Sequence, residues 1–143
     1  MTELTAEYDA AVALLRADGI EVSDALRYDD RGDLVRTSYL IAFPTIPTDL
    51  AQARATAPVD FEHGARTARI DVQAISPQAA RAAKLLARAL GVLVGKTPAV
   101  EGRRTDPIRF LLSTNVADDS TIMPPVFYAD GSVEITTRPG GTS

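Results

Sequence analysis

Leu4, Tyr8, Ala11, Val12 and Leu15 stand at i, i+4, i+7, i+8 and i+11, the spacing of one helical face. Glu7 and Asp9 occupy its early turns, where the helix dipole favours negative charge, and Gly19 supplies a stop. Such a helix is expected to pack as an outer layer on a sheet. After the polar turn Asp29-Asp30-Arg31-Gly32-Asp33 comes the run Leu34 to Phe43. There Tyr39, Ile41 and Phe43 alternate with Leu40 and Ala42, as in a strand apolar on both faces, and Pro44 and Pro47 end it. No period is sustained from Pro44 to Gly64, apart from a short helix expected over Ala51 to Ala57. A connection of that length in a compact domain is expected to project as a loop or arm.

Ala68, Ile70, Val72 and Ala74 alternate with Arg69, Asp71 and Gln73 and predict a half-buried strand. Ser76 and Pro77 read as the cap and first residue of a second helix. Its buried stripe is Ala79, Ala82, Ala83, Leu86, Leu90 and Leu93, its polar face carries Arg81, Lys84 and Arg88, and Gly95 ends it. Ile108, Phe110 and Leu112 mark a third strand, and Val126 to Arg138 the last β segment. Inside that segment Asp130-Gly131, flanked by alternating apolar residues, is a hairpin signal. Ahead of it, Pro124-Pro125 forbids helix and holds the chain extended, so Phe127 and Tyr128 point to opposite faces. One can anchor the core while the other packs against another subunit, or both can pack within the chain.

Composition bounds the function. A chain of 143 residues, 45% hydrophobic and 24% charged, fits a single α+β domain, 1–143, able to bury a sizeable core. No apolar run approaches the ~20 residues that span a bilayer, and no basic segment followed by an apolar one marks a secretory signal, so no membrane association is expected. With no cysteine, disulfides and thiolate metal sites are excluded, and a cytoplasmic setting is expected. A net charge of −4 argues against a stand-alone nucleic-acid binder, since phosphate neutralisation needs a basic surface.

Several motifs fail on their chemistry. Gly91 to Thr97 resembles a phosphate-binding loop, but that loop needs four residues between its glycines, where this chain has three, and a helix after it. Arg31-Gly32-Asp33 is read as a turn. His63 is the only histidine and has no ligand set or nucleophile at a useful spacing. Asp118-Asp119 falls short of the oxygens a hard cation takes, and an acidic loop or salt-bridge partner is expected. Neither a metal nor a cofactor is implied. Arg81, Lys84 and Arg88 at helical spacing, with Arg103-Arg104 as a second basic point, fit either a solvated face or contacts with acidic surfaces of neighbouring subunits.

One ordered set of motifs goes further: the Ser76-Pro77-x-x-Ala-Arg helix entry, Gly95-Lys96-x-Pro98, Asp106-Pro107-Ile108, and Asp118-Asp119 followed by Pro124-Pro125-x-Phe127-Tyr128. In that order the chain resembles the tail terminator proteins of long-tailed phages, the lambda-type family, especially those of phages infecting high-GC actinobacteria. The resemblance implies a mixed, mainly antiparallel sheet of about four to five strands with two main helices on one side, and one continuous, bulged final strand in place of the hairpin. It also implies a non-enzymatic virion protein at the tail–head junction, assembled in the host cytoplasm. Six copies would form a ring that caps the tail tube and stops its polymerisation. Its partners would be the chain itself, the major tube protein and the head-completion or stopper protein, with phage DNA passing through the channel without specific binding. The candidate interface residues are then Arg81, Lys84, Arg88, Arg103, Arg104, Asp118, Asp119, Phe127 and Tyr128. Pro44–Gly64 would be a projecting arm and residues 139–143 a flexible tail. The alternatives are another head–tail connector or minor tail component, and a small hydrolase built on Asp118, Asp119 and His63.

Overall fold

Two long strands carry the sheet. β4 (Arg66–Ser76) and β8 (Val126–Pro139) run antiparallel and stay in register from Arg66–Thr137 to Ser76–Phe127. Around them the computed structural model, which describes residues 5–44, the backbone of 48–49, 64–119, 121 and 124–140, places the remaining elements. These are α1 (Ala6–Ala17), β1 (Val22–Ser23), β2 (Tyr39–Phe43), β3 (Thr48–Asp49), α2 (Ala79–Leu93), β5 (Arg103–Thr105), β6 (Arg109–Ser113) and β7 (Ala117–Asp119).

The eight strands form one sheet in the lateral order β1-β2-β4-β8-β5, with β3 beside β4 and with β6 and β7 beside β8. β2 and β3 share one edge of β4, while β5, β6 and β7 line up along the free edge of β8. Eight segments thus fill five lateral positions, more segments than the sequence predicts within the same class. The β1–β2 pair is parallel and every other pair antiparallel.

Alternation along β4 and β8 decides which face is covered. Ile70, Val72, Ala74, Ala129, Val133 and Ile135 face the helices and are buried under Ala11, Val12 and Leu15 of α1 and Ala82, Leu86, Ala89 and Leu93 of α2. Both helices therefore lie on one side of an α+β sheet. At the edge of this core Glu7 of α1 and Arg66 of β4, both fully buried, form an ion pair that also takes a 3.1 Å hydrogen bond from Thr137 Oγ1 of β8. Arg103 extends the cluster, donating to Thr137 Oγ1 at 2.7 Å and to the Gly64 carbonyl. On the opposite face Tyr39, Ile41 and Ile75 are buried, with Tyr128 packed against them.

Several expectations are corrected. Glu7 is a buried anchor as well as an acidic first-turn residue. The second strand begins at Tyr39; upstream, Leu34 makes only an isolated antiparallel bridge with Tyr28 across the Asp29–Asp33 turn. That turn is closed by Asp29, whose Oδ1 accepts the N–H groups of Arg31 and Asp33. α2 starts at Ala79 with Gln78 as its cap residue, because Pro77 follows β4 without entering the helix; Ser76 Oγ accepts the Gln78 N–H at 3.2 Å. The buried stripe of α2 shifts to Ala82, Leu86, Ala89 and Leu93, leaving Ala79 and Ala83 exposed. Asp118 and Asp119 lie in strand β7, not in a loop.

Asp130-Gly131 forms neither a hairpin nor a bulge in β8: Gln73–Asp130 and Val72–Gly131 are successive pairs in an unbroken ladder. The irregularity sits in the partner strand, where Leu111 is the extra residue between Phe110–Val133 and Leu112–Ser132. Leu4, the expected Ala51–Ala57 helix, His63 and most of Pro44–Gly64 lie outside the described residues, as do residues 141–143. Pro139 pairs with Arg103 at the end of β8.

Candidate functional site

α2 carries Arg81, Lys84 and Arg88 and no acidic residue. A basic first turn opposes the helix dipole, which favours acids there, so local helix stability does not account for this placement. Arg88 is used inside the chain: its Nε donates to Asp18 Oδ2 at 2.9 Å and ties α2 to the end of α1. Arg81 and Lys84 are exposed and make no ion pair among the described residues. On the β6–β7 side of α2 a groove of ≈ 300 Å³ is lined by Leu86, Ala129, Ala83, Ala87, Leu90 and Val116.

The same side of the sheet ends in an apolar edge. Phe110, Leu111 and Leu112 of β6 are 49%, 37% and 41% exposed, although three large apolar residues in succession are normally covered. Among the described residues β6 pairs only with β8, leaving the backbone donors and acceptors of its other edge without a strand partner there. Phe110 pairs with Val133 and so shares the helix face with the groove. Val94, just past α2, is also exposed.

The other face is divided. One end is polar, where Arg69, Asp71 and Ser132 share hydrogen bonds, Thr67 and Thr136 hydroxyls meet at 2.9 Å, and Arg109 lies 3.3 Å from Glu134. Burial pushes the Asp71 carboxyl up, but hydrogen bonds from Ser132 and Arg69 and the Arg69 charge outweigh it and hold the pKa below the usual carboxylate range. At the other end Arg27 lies 5.1 Å above the Tyr39 ring, and its backbone N–H donates to the Tyr39 hydroxyl. Arg36 donates to the Pro124 carbonyl at 2.7 Å. Leu26 lines a cavity of ≈ 430 Å³ with Ile75, Tyr128 and Asp119. Asp24, Asp29, Asp30 and Asp33 alternate here with Arg27, Arg31 and Arg36, and Tyr28, 61% exposed, stands at the base of the turn.

The nine predicted residues do not converge. Arg81 and Lys84 line one helix, and Arg103 is held by Thr137 and Gly64. Arg104 is exposed opposite Arg138, whose guanidinium is bound to Asp106 at 3.1 Å. Phe127 and Tyr128 take opposite faces, as the alternation predicts: Tyr128 joins the Tyr39–Ile41–Ile75 cluster, and Phe127 lies opposite Ser76 near the entry to α2. Asp118 is exposed, and Asp119 Oδ1 accepts the Thr121 N–H at 3.0 Å. No three His, Cys, Asp or Glu side chains cluster as a metal site among the described residues, and no helix among them is long and apolar enough to cross a membrane. Sequence reasoning missed the groove, the β6 edge and Tyr28. The unalternated Phe110-Leu111-Leu112 run and the all-basic α2 are the signals that point to them.

The arrangement defines a sheet-and-helix domain with an exposed apolar edge strand and an apolar groove beside α2. The fold is shared with a chain in the virion of a native gene transfer agent particle: TM-score 0.63 and 17% identity, over 93% of this chain and 91% of that one. No family model matches the sequence, and no curated protein matches it.

Proposed function

We propose that the protein is a non-enzymatic structural component of a phage-like virion that forms a ring capping the tail tube. The observation that carries this reading is the fold shared over nearly the whole length of both chains with a virion chain of the gene transfer agent. The ordered motifs from Ser76-Pro77 to Phe127-Tyr128 direct it to the terminator role. The ring halts tube growth and meets the head-completion protein. A closed ring requires heterologous, head-to-tail contacts between two different surfaces of one subunit, and the exposed apolar β6 edge is one such surface. Phage DNA passes through without specific binding, in keeping with the net charge of −4.

Light scattering of the purified protein, alone and mixed with assembled tail tubes, tests this. The expected result is a species about six times the 15.2 kDa subunit, or a monomer that binds stoichiometrically at tube ends in electron micrographs. Binding along the tube wall, or none at all, defeats the proposal. Binding at the head side alone favours another connector.

A further inference from the structure

Resting on the ring reading, we infer that the free edge of β6 docks against the Phe43 end of β2 in the next copy of the chain, sheet edge to sheet edge. Among the described residues, the exposed large apolar side chains that stand in strands are Phe43 of β2 and Phe110, Leu111 and Leu112 of β6. They fall on opposite sides of the sheet's two central strands. Phe43 continues the stripe of Tyr39 and Ile41, which are buried, but it lies beyond β1, whose register on β2 stops at Ile41. On β6, Phe110 and Leu112 are opposite the successive residues Val133 and Ser132, so the extra residue Leu111 turns Leu112 to the face opposite Phe110. The edge is therefore apolar on both faces.

The register names the partner. Phe43 is opposite Asp71, Asp71 opposite Ser132, and Ser132 opposite Leu112, so one row crosses β2, β4, β8 and β6. It ends in an exposed apolar side chain at each edge, both on the face away from the helices. A second copy set edge to edge in the same orientation brings its Phe43 against Leu112 of the first, in row and on one face. The same placement runs β2 antiparallel to β6, the sense of every pair in this sheet except β1–β2. One chain cannot make the contact with itself, because three strand spacings of about 4.8 Å separate the two edges. Each junction leaves one Phe43 and one β6 edge free, so the contact repeats until a ring closes. Pairing of β6 with β6 of another copy would stop at a dimer and leave Phe43 exposed.

The chain has no native cysteine, so a disulfide between introduced ones reports the contact. Phe43→Cys and Leu112→Cys chains are mixed and mildly oxidised, with and without tail tubes. The expected result is a disulfide-linked dimer in the mixture and in neither variant alone, while Val94→Cys, also exposed, should not link to Phe43→Cys. Within one chain the two positions are too far apart for a disulfide, so the chain carrying both should give a ladder of linked species. In parallel, Phe43→Lys and Leu112→Glu should each weaken self-association about thirtyfold, as loss of an interface anchor does. The chain carrying both should recover most of that loss, since a lysine then meets a glutamate at every junction. Either the mixed disulfide or the recovery sustains the inference. Absence of both overturns it, as does linking of Leu112→Cys chiefly with itself. If the inference falls while the wild type reaches ring mass, the ring reading survives with its contacts elsewhere. A linked series that grows into open filaments keeps the edge contact and defeats the ring. Urea midpoints equal to that of the wild type separate these outcomes from misfolding.

Discussion

Glu7 and Arg66 meet where no water reaches either, and the carboxylate also accepts from Thr137. The pair joins α1, β4 and β8, so its value lies in fixing how the first helix sits on the sheet. Glu7→Ala leaves a buried guanidinium without its carboxylate and should destabilise the fold by about 3–5 kcal/mol in urea titration. Glu7→Gln, which keeps an acceptor for Thr137, should lose less; equal losses would show that hydrogen bonding contributes nothing there. Asp71 makes stability pH-dependent. Its folded pKa lies below the unfolded value of about 3.9, so its contribution is present above about pH 4 and drains away as pH falls through the folded pKa. Asp71→Asn should flatten the acid limb of the stability curve, measured by urea midpoints between about pH 5 and pH 2.5. A limb as steep as that of the wild type would exclude Asp71 as its source.

The pairing of α2 with β8 turns on Gly131. A Cβ built there would stand 3.0 Å from Leu86 Cδ1 and 3.2 Å from Leu90 Cδ2, so any side chain there must displace the leucine tips of the helix. Gly131→Val should cost about 1–3 kcal/mol by overpacking. Gly91, in the same helix with open space around it, should gain about 0.5–1 kcal/mol as alanine. Thermal or urea unfolding of the two variants checks both signs. Gly131 also explains why Asp130-Gly131 misleads as a hairpin signal: the residue is there for close approach, and its φ is not positive. Local chemistry was legible where one rule acted alone. The alternation of Ile70, Val72 and Ala74 and the period of α2 located the central strand, the second helix and the α+β class. It was not legible where partners decide. β5 and β7 are three residues each and exist because β8 is beside them, and the burial of Glu7 depends on Arg66, 59 positions away. The candidate interface was harder still, since Arg88 and Arg103 look like surface charges until Asp18 and Thr137 are found to hold them.

At the scale of the whole molecule, one flank of the sheet is finished and the other is not. β6 closes it with three exposed apolar residues. Phe110→Lys should change stability by less than about 0.5 kcal/mol, as an exposed substitution does, yet abolish the ring-sized species that the proposed function requires in light scattering. A variant that still assembles would release the edge from any role in the ring. The dependence of four strands on β8 has a consequence in time. β4 through β7 are all made before the strand that pairs with each of them, and the floor of the α2 groove includes Ala129 of that same strand. The β4–β8 pairing, the most distant of the four in sequence, is the slow one. Until these pairings form, the chain has neither the β6 edge nor the groove beside α2. On the proposed function, the chain becomes competent to recruit a neighbour only as its own folding ends, and a half-made chain is silent toward assembly.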